Sequence, residues 1–317
     1  MLQKTNKKGF QLALVESLLQ LKTLDSYSGN NKNNIHLFVR LNGEQKNEEE
    51  ILNFIKPRAC HYSSVQFVSI RRNDKFSLLF NILKLRLFLF CKRKVILIIG
   101  DPRALWMNMI SSFKNVHDVI YLEDGMSTVL FYQTFKPKYP HKHYKLVTRL
   151  KLDGNAFLSL IPLEVKKNTV MRIDNDVALF IGMPMIENNA LSKKKYLSYL
   201  HKIIMSLKNM KITKFYYAPH RYENENNFYL YENLGFHMLD TDCAIEDYLN
   251  SKNIIPAVYA SFYSTALLQI DTLFYGVSVI CYVINVEELN YDFRNPALYA
   301  YEYYNKTPSI IKVDLLD

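Results

Sequence analysis

Glycine is scarce in this chain, at nine in 317 residues, which excludes collagen-like sequences and architectures built on repeated glycine-rich loops. Neither G-x-x-x-x-G-K nor G-x-G-x-x-G occurs, so kinase-type and dinucleotide-type phosphate signatures are missing. Cysteine is rarer still. Cys60, Cys91, Cys243 and Cys281 form no C-x-x-C pair and no zinc spacing with histidine, which argues against a disulfide scaffold and a structural metal and for a reducing, cytosolic setting. Long apolar runs are also lacking: residues 76–90 come nearest to a membrane span but are too short and carry Lys84 and Arg86. No signal peptide is read at the start, where Lys4, Lys7 and Lys8 lead into a short apolar stretch broken by Glu16. A soluble or peripheral protein is expected.

What is present points to a folded chain of two domains. Hydrophobic residues make up 49% and charged residues 22%, a balance that excludes disorder as the main state, and the length suits two domains. The formal charge of +10, from 40 Lys and Arg against 30 Asp and Glu, favours an anionic partner without naming it.

Short strand-like runs alternate with longer stretches of helical spacing. Residues 11–15, 35–40, 65–70, 95–99 and 119–122 read as strands, with helices over 18–27, 47–55, 76–91 and 104–113. The alternation pauses between Lys136 and Asp176, a polar stretch with Pro137, Pro140 and Pro162, where the domain boundary is placed, giving domains 1–155 and 156–317. A second set follows: strands 177–181, 214–218, 236–239, 257–261 and 277–282, with helices 192–208, 226–233, 244–250 and 265–275. Such alternation predicts an α/β protein of two Rossmann-like halves, with ligands in a cleft at the carboxyl ends of the strands.

Four strand ends carry candidate chemistry. Glu123-Asp124-Gly125 follows strand 119–122; adjacent carboxylates raise one another's pKa, which suits a general base, and Gly125 permits a tight turn. An acidic turn capping a helix is the ordinary reading. Pro219-His220-Arg221 ends strand 214–218 and suits an anionic phosphate through charge-assisted hydrogen bonds. Ser264-Thr265 opens a helix, where hydroxyls and backbone N–H groups form a phosphate site or simply a cap. Gly182 after strand 177–181 admits a ligand to the backbone, or marks a turn. Asp240-Thr241-Asp242 has the letters of a metal-binding D-x-D without an evident ligand partner.

With these residues in place the sequence resembles bacterial sialyltransferases of the GT-B fold, in the polysialyltransferase-like and lipooligosaccharide sialyltransferase branches. The matching pieces are Val15-Glu16-Ser17-Leu18-Leu19-Gln20, Glu123-Asp124-Gly125, Phe180-Ile181-Gly182-Met183-Pro184 and Tyr217-Ala218-Pro219-His220-Arg221. Ile245-Glu246-Asp247-Tyr248-Leu249 and Ser261-Phe262-Tyr263-Ser264-Thr265-Ala266-Leu267 complete the set in family order. Leu18 stands where the family has proline and Met183 where it has glutamine; Pro-His-Arg in place of His-Pro leans towards the polysialyltransferase-like branch. The resemblance implies two Rossmann-like domains facing each other across a cleft, and inverting transfer from CMP-sialic acid to a galactoside or sialoside hydroxyl of a capsule or lipooligosaccharide. It implies Glu123 as general base with Asp124 in reserve, and His220, Ser264 and Thr265 on the CMP phosphate beside Pro219 and Arg221. Gly182 and Glu246 then lie along the nucleotide, and Ser17 faces the donor carboxylate or phosphate. No metal and no cofactor are required.

Lys136 to Lys151 holds six Lys or Arg with no acid between Asp124 and Asp153. With Lys92-Arg93-Lys94 it forms an expected basic face, which suits an acidic oligosaccharide, a lipid-linked glycan acceptor, or anionic lipid at the inner face of the cytoplasmic membrane. Nucleic acid is not an expected partner. Residues 76–91 are apolar on both sides and read as a helix buried between the sheet and its neighbours. The rival readings are a GT-B transferase using another activated sugar and a non-catalytic basic protein binding membrane or nucleic acid.

Overall fold

The computed structural model describes residues 9–71, 74–153, 155–164, 172–240, 243–252 and 254–315. Lys4, Lys7, Lys8, Thr241 and Asp242 lie outside them. The chain divides into two compact units, Met1–Glu164 and Val165–Asp317.

The first unit runs β1 (Phe10–Val15), α1 (Leu18–Ser28), β2 (Ile35–Leu41), α2 (Gln45–Ile55), β3 (Ser64–Ser69), α3 (Lys75–Phe90), β4 (Val95–Ile99) and α4 (Leu105–Ser111), then β5 (Val116–Leu122), α5 (Ser127–Thr134), β6 (His143–Thr148) and β7 (Ser159–Pro162). Its seven strands are all parallel, in the order β3-β2-β1-β4-β5-β6-β7. Central strands covered on both faces need continuous apolar runs, and β4 with its Val-Ile-Leu-Ile-Ile is such a run. The strand order reverses between β1 and β4, so the switch point where α/β ligands bind lies at the ends of these two strands.

The second unit runs β8 (Arg172–Ile181), α6 (Lys193–Asn209), β9 (Lys214–Ala218), α7 (Phe228–Leu234), β10 (His237–Met238) and α8 (Ile245–Asn250), then β11 (Ile254–Ser261), α9 (Thr265–Leu273), β12 (Ser278–Val283), α10 (Tyr291–Asn305) and β13 (Ile310–Asp314). Its parallel order is β10-β9-β8-β11-β12-β13, with the switch point between β8 and β11.

Three expectations are corrected. The described residues between 136 and 164 are no linker: they supply β6 and β7 to the first sheet, and the first unit runs to Glu164 rather than to 155. Polar residues at the ends of β6 hide its buried Leu146 and Val147, and β7 is a four-residue edge strand, where Pro162 costs no ladder bond. The basic face loses two members. Lys142 is buried, with its ammonium donating to the carbonyls of Ser111 (2.5 Å) and Phe113 (2.8 Å) beyond the end of α4, and Arg149 is drawn to Glu123. Finally, α3 is buried on one side only: Ile82, Leu85 and Leu89 face inward and Leu78 is half-buried, while its other apolar side chains are exposed. The sequence reading also ends at 282, whereas α10 and β13 follow.

Candidate functional site

In the first unit the site is built by α1 as much as by the strands. Ser17-Leu18-Leu19-Gln20 forms a variant of the capping box: Ser17 caps α1, its Oγ accepting from the Gln20 N–H at 3.3 Å, and the Gln20 side chain reaches back one residue past the cap, its Oε1 accepting from the Glu16 N–H at 2.8 Å. This holds the amide so that its Nε2 donates to Asp124 Oδ1 at 3.1 Å. Gly100 at the end of β4 makes the room. A Cβ there would collide with the Gln20 amide and come within 2.8 Å of the Leu14 carbonyl.

Three carboxylates thus gather at the ends of adjacent strands: Glu16 after β1, Asp101 beyond β4 and Asp124 beyond β5. Asp124 is pushed up to about 7, chiefly by burial and next by the charge of Asp101, with the Gln20 hydrogen bond opposing. Glu16 is also raised by burial, against the pull of Arg40, which holds it in an ion pair at 3.1 Å. Arg40 is itself buried and donates to the Ile70 carbonyl at 3.1 Å. Asp101 accepts from the Arg103 N–H at 2.8 Å. Among the described residues, no three His, Cys, Asp or Glu are placed to hold a metal.

Glu123 differs from its neighbour. It is 2% exposed, and Oε2 accepts from Thr148 Oγ1 at 2.7 Å and from the Arg149 N–H at 2.6 Å, while Oε1 pairs with the Arg149 guanidinium at 3.5 Å. The carboxylate expected as the general base is in fact a buried tie between the ends of β5 and β6. Glu123→Ala leaves a hydroxyl, an N–H and a guanidinium without their acceptor, and is expected to lose about 3 kcal/mol of stability in a denaturant titration. Gly125 does make the turn, at φ +71°, a conformation that only glycine adopts cheaply.

The second unit places Pro219-His220-Arg221 directly after β9. Burial, helped by the Arg221 charge, lowers the His220 pKa to about 4, so the ring is neutral at physiological pH and not the charged partner expected for a phosphate. Nδ1 accepts from the Tyr222 N–H at 3.3 Å, which leaves the ring proton on Nε2 as a neutral donor. The loop is pinned by Glu223, buried at 7% exposure: Oε2 accepts from the His220 N–H at 2.6 Å and Oε1 from the Tyr217 hydroxyl at 2.6 Å. Tyr217 shares a 2.6 Å hydrogen bond with Tyr196 and stacks on Tyr231. Burial pushes Glu223 up to about 8.

Gly182 belongs to this network. A Cβ at Gly182 would strike the Glu223 carboxylate and lie 2.6 Å from the Tyr217 hydroxyl; the space beside it, expected for a ligand, is filled by protein. Ser264 caps α9, its Oγ accepting from the Ala266 N–H at 3.3 Å while its carbonyl accepts from the Tyr304 hydroxyl at 2.8 Å. Thr265 opens α9 and Glu246 lies in the first turn of α8. β8 lies between the strands that lead to His220 and Ser264, which sets the two strand ends about 10 Å apart. Sequence reasoning missed Glu223, Tyr217, Gly100 and Asp101 as parts of these sites. For Gln20 the S-x-x-Q pattern was the available signal.

No protein-family model matches the sequence, nor does any curated protein. Solved structures do. One is a sialyltransferase from Photobacterium damselae, residues 113–497 corresponding to its GT-B domain, at 8% identity and a TM-score of 0.48, over 95% of this chain and 99% of that one. Another is the 2,6-sialyltransferase of Vibrionaceae Photobacterium sp. JT-ISH-224, in a ternary complex with donor product CMP and acceptor substrate lactose. It matches at 11% identity and a TM-score of 0.50, over 95% of this chain and 78% of that one. The fold is GT-B. In a GT-B chain the carboxyl ends of both sheets are where side chains meet ligands, and Asp124, His220, Ser264 and Glu246 all stand at or beyond such ends.

Proposed function

We propose that this chain is an inverting glycosyltransferase that moves sialic acid from CMP-sialic acid to a glycan hydroxyl, with Asp124 as the base. The observation that carries this reading is the state of Asp124. It is a partly exposed carboxylate at a GT-B strand end, raised to about 7 and aimed by Gln20, and a base poised near neutral pH is the one that transfers a proton best. Glu123 was the first choice from sequence, but its oxygens are engaged by Thr148 and Arg149, and it holds the strand ends on which Asp124 stands.

The acceptor oxygen forms its bond to the anomeric carbon as the bond from that carbon to the CMP phosphate oxygen breaks. The electron pair leaves with the phosphate, and the acceptor proton goes to Asp124. Charge therefore grows on the phosphate, which neutral His220 and the hydroxyls of Ser264 and Thr265 are suited to meet with fixed donors. Arg221 adds positive charge, and Glu246 suits ribose hydroxyls. The donor and acceptor classes are supported by the CMP and lactose of the similar 2,6-sialyltransferase complex and by the order of the sequence motifs. The scheme uses no metal.

The test is incubation with CMP-sialic acid and a panel of galactosides and sialosides in the presence of EDTA, with products read by mass spectrometry. Sialylated product is expected in undiminished yield. In a thermal-shift measurement CMP should raise the melting temperature and UDP should not. Stabilisation by UDP alone would transfer the reading to another activated sugar.

A further inference from the structure

The outward side of α3 is the largest apolar feature that the transfer chemistry leaves unused. Phe76, Leu79, Phe80, Leu83, Leu87 and Phe90 are all exposed, Phe76 by 89% and Phe90 by 86%. At about 100° per residue they fall within about 60° of Phe76 around the helix axis, and Lys84 and Arg86 lie about 80° away on opposite sides. Both cations are exposed, and Lys84 lies over the Phe80 ring at 4.3 Å. No acidic residue occurs from Lys75 to Gly100, while Lys92, Arg93 and Lys94 continue the positive charge.

An apolar ridge between two rows of bases matches one kind of surface. We propose that this face of α3 docks on an anionic lipid bilayer, with the helix lying in the interface plane. Its 16 residues span about 24 Å, short of the hydrocarbon thickness of about 30 Å, so the helix lies rather than crosses. The phenyl and leucyl groups enter the acyl boundary, while Lys84 and Arg86 extend their stems along it and keep their charges at the headgroups. A protein partner of the same apolar character would not require the flanking bases, which an anionic surface attracts. α3 follows the carboxyl end of β3 and α4 the carboxyl end of β4, so Phe76 and the 76%-exposed Leu105 lie on the carboxyl-end side of the sheet that carries Asp124.

The experiment is sedimentation of the full chain with vesicles of phosphatidylcholine alone or with about 30% phosphatidylglycerol. The protein is expected to pellet with the anionic vesicles, less so in about 0.5 M salt, and to stay in solution with neutral ones. Phe76→Ser, Phe80→Ser, Leu87→Ser combined should lower partitioning at least about tenfold with circular dichroism and melting temperature retained, because the three side chains face outward. Lys84→Glu with Arg86→Glu should lose binding at low salt and match the parent at high salt. Equal pelleting of the triple variant, equal binding to neutral vesicles, or no pelleting at all would overturn the proposal. A parent dimer that the triple substitution turns into a monomer, with neither protein binding vesicles, would assign the face to a second copy instead.

Discussion

Asp124→Asn is expected to slow transfer about 10²–10⁴-fold and at the same time to raise the melting temperature at pH 8. The two effects share one cause. In the unfolded chain this carboxyl titrates near 3.8, and in the fold near 7, so above pH 7 the folded protein must hold an anion that its surroundings disfavour. As pH falls through 7 the folded form takes up a proton and the penalty shrinks, vanishing below the unfolded value. Asparagine is neutral throughout. Its advantage should be about 1–2 kcal/mol at pH 8, discounted for the partial exposure of the group, and close to nothing at pH 4. The transfer rate of the parent protein should fall on the acid side of an apparent pKa near 7. Gln20→Leu, which removes the donor that favours the charged form, should move that limb to higher pH. A rate unchanged in Asp124→Asn, or a melting-temperature gain that does not vary with pH, would return the base to another residue.

His220→Ala should lower turnover about 10²–10³-fold, the cost typical of losing one donor to an oxygen that gains charge in the transition state, with a smaller effect on CMP binding. Because the ring is already neutral, with its pKa near 4, CMP affinity in the parent protein should not fall between pH 5.5 and 7.5 as an ordinary histidine cation would make it do. Glu223 separates positioning from contact. Glu223→Gln keeps an acceptor for the His220 N–H and a polar partner for Tyr217, and should remain near parent activity. Glu223→Ala takes the acceptor from the His220 N–H and leaves Tyr217 with Tyr196 alone, and should lose about 1–3 kcal/mol of stability together with much of the His220 effect. If His220→Ala retains full turnover, the loop after β9 is structural only.

Local chemistry made the architecture readable in advance. Alternating apolar runs of two periods, with turns at Gly125 and Gly182 and a hydroxyl cap at Ser264, are short-range signals, and they located most strands and helices within a few residues. The Ser17-to-Gln20 capping box was written in four consecutive letters. What the letters could not convey is which of two adjacent carboxylates turns inward. Glu123 and Asp124 are chemically alike and sit one residue apart. The side chain of Glu123 meets Thr148, the last residue of β6, and Arg149 just beyond it, 25 and 26 residues downstream, in a stretch whose polar ends concealed a strand. Long-range neighbours likewise decided His220, whose charge is removed by burial, and Gly182, whose missing side chain makes room for Glu223. α3 shows the same division from the other direction. Its sequence is apolar on both sides of the helix, and only the burial of Ile82, Leu85 and Leu89 determined that the opposite side faces solvent, because a helix presents one side to the core and local spacing cannot say which neighbours cover the rest.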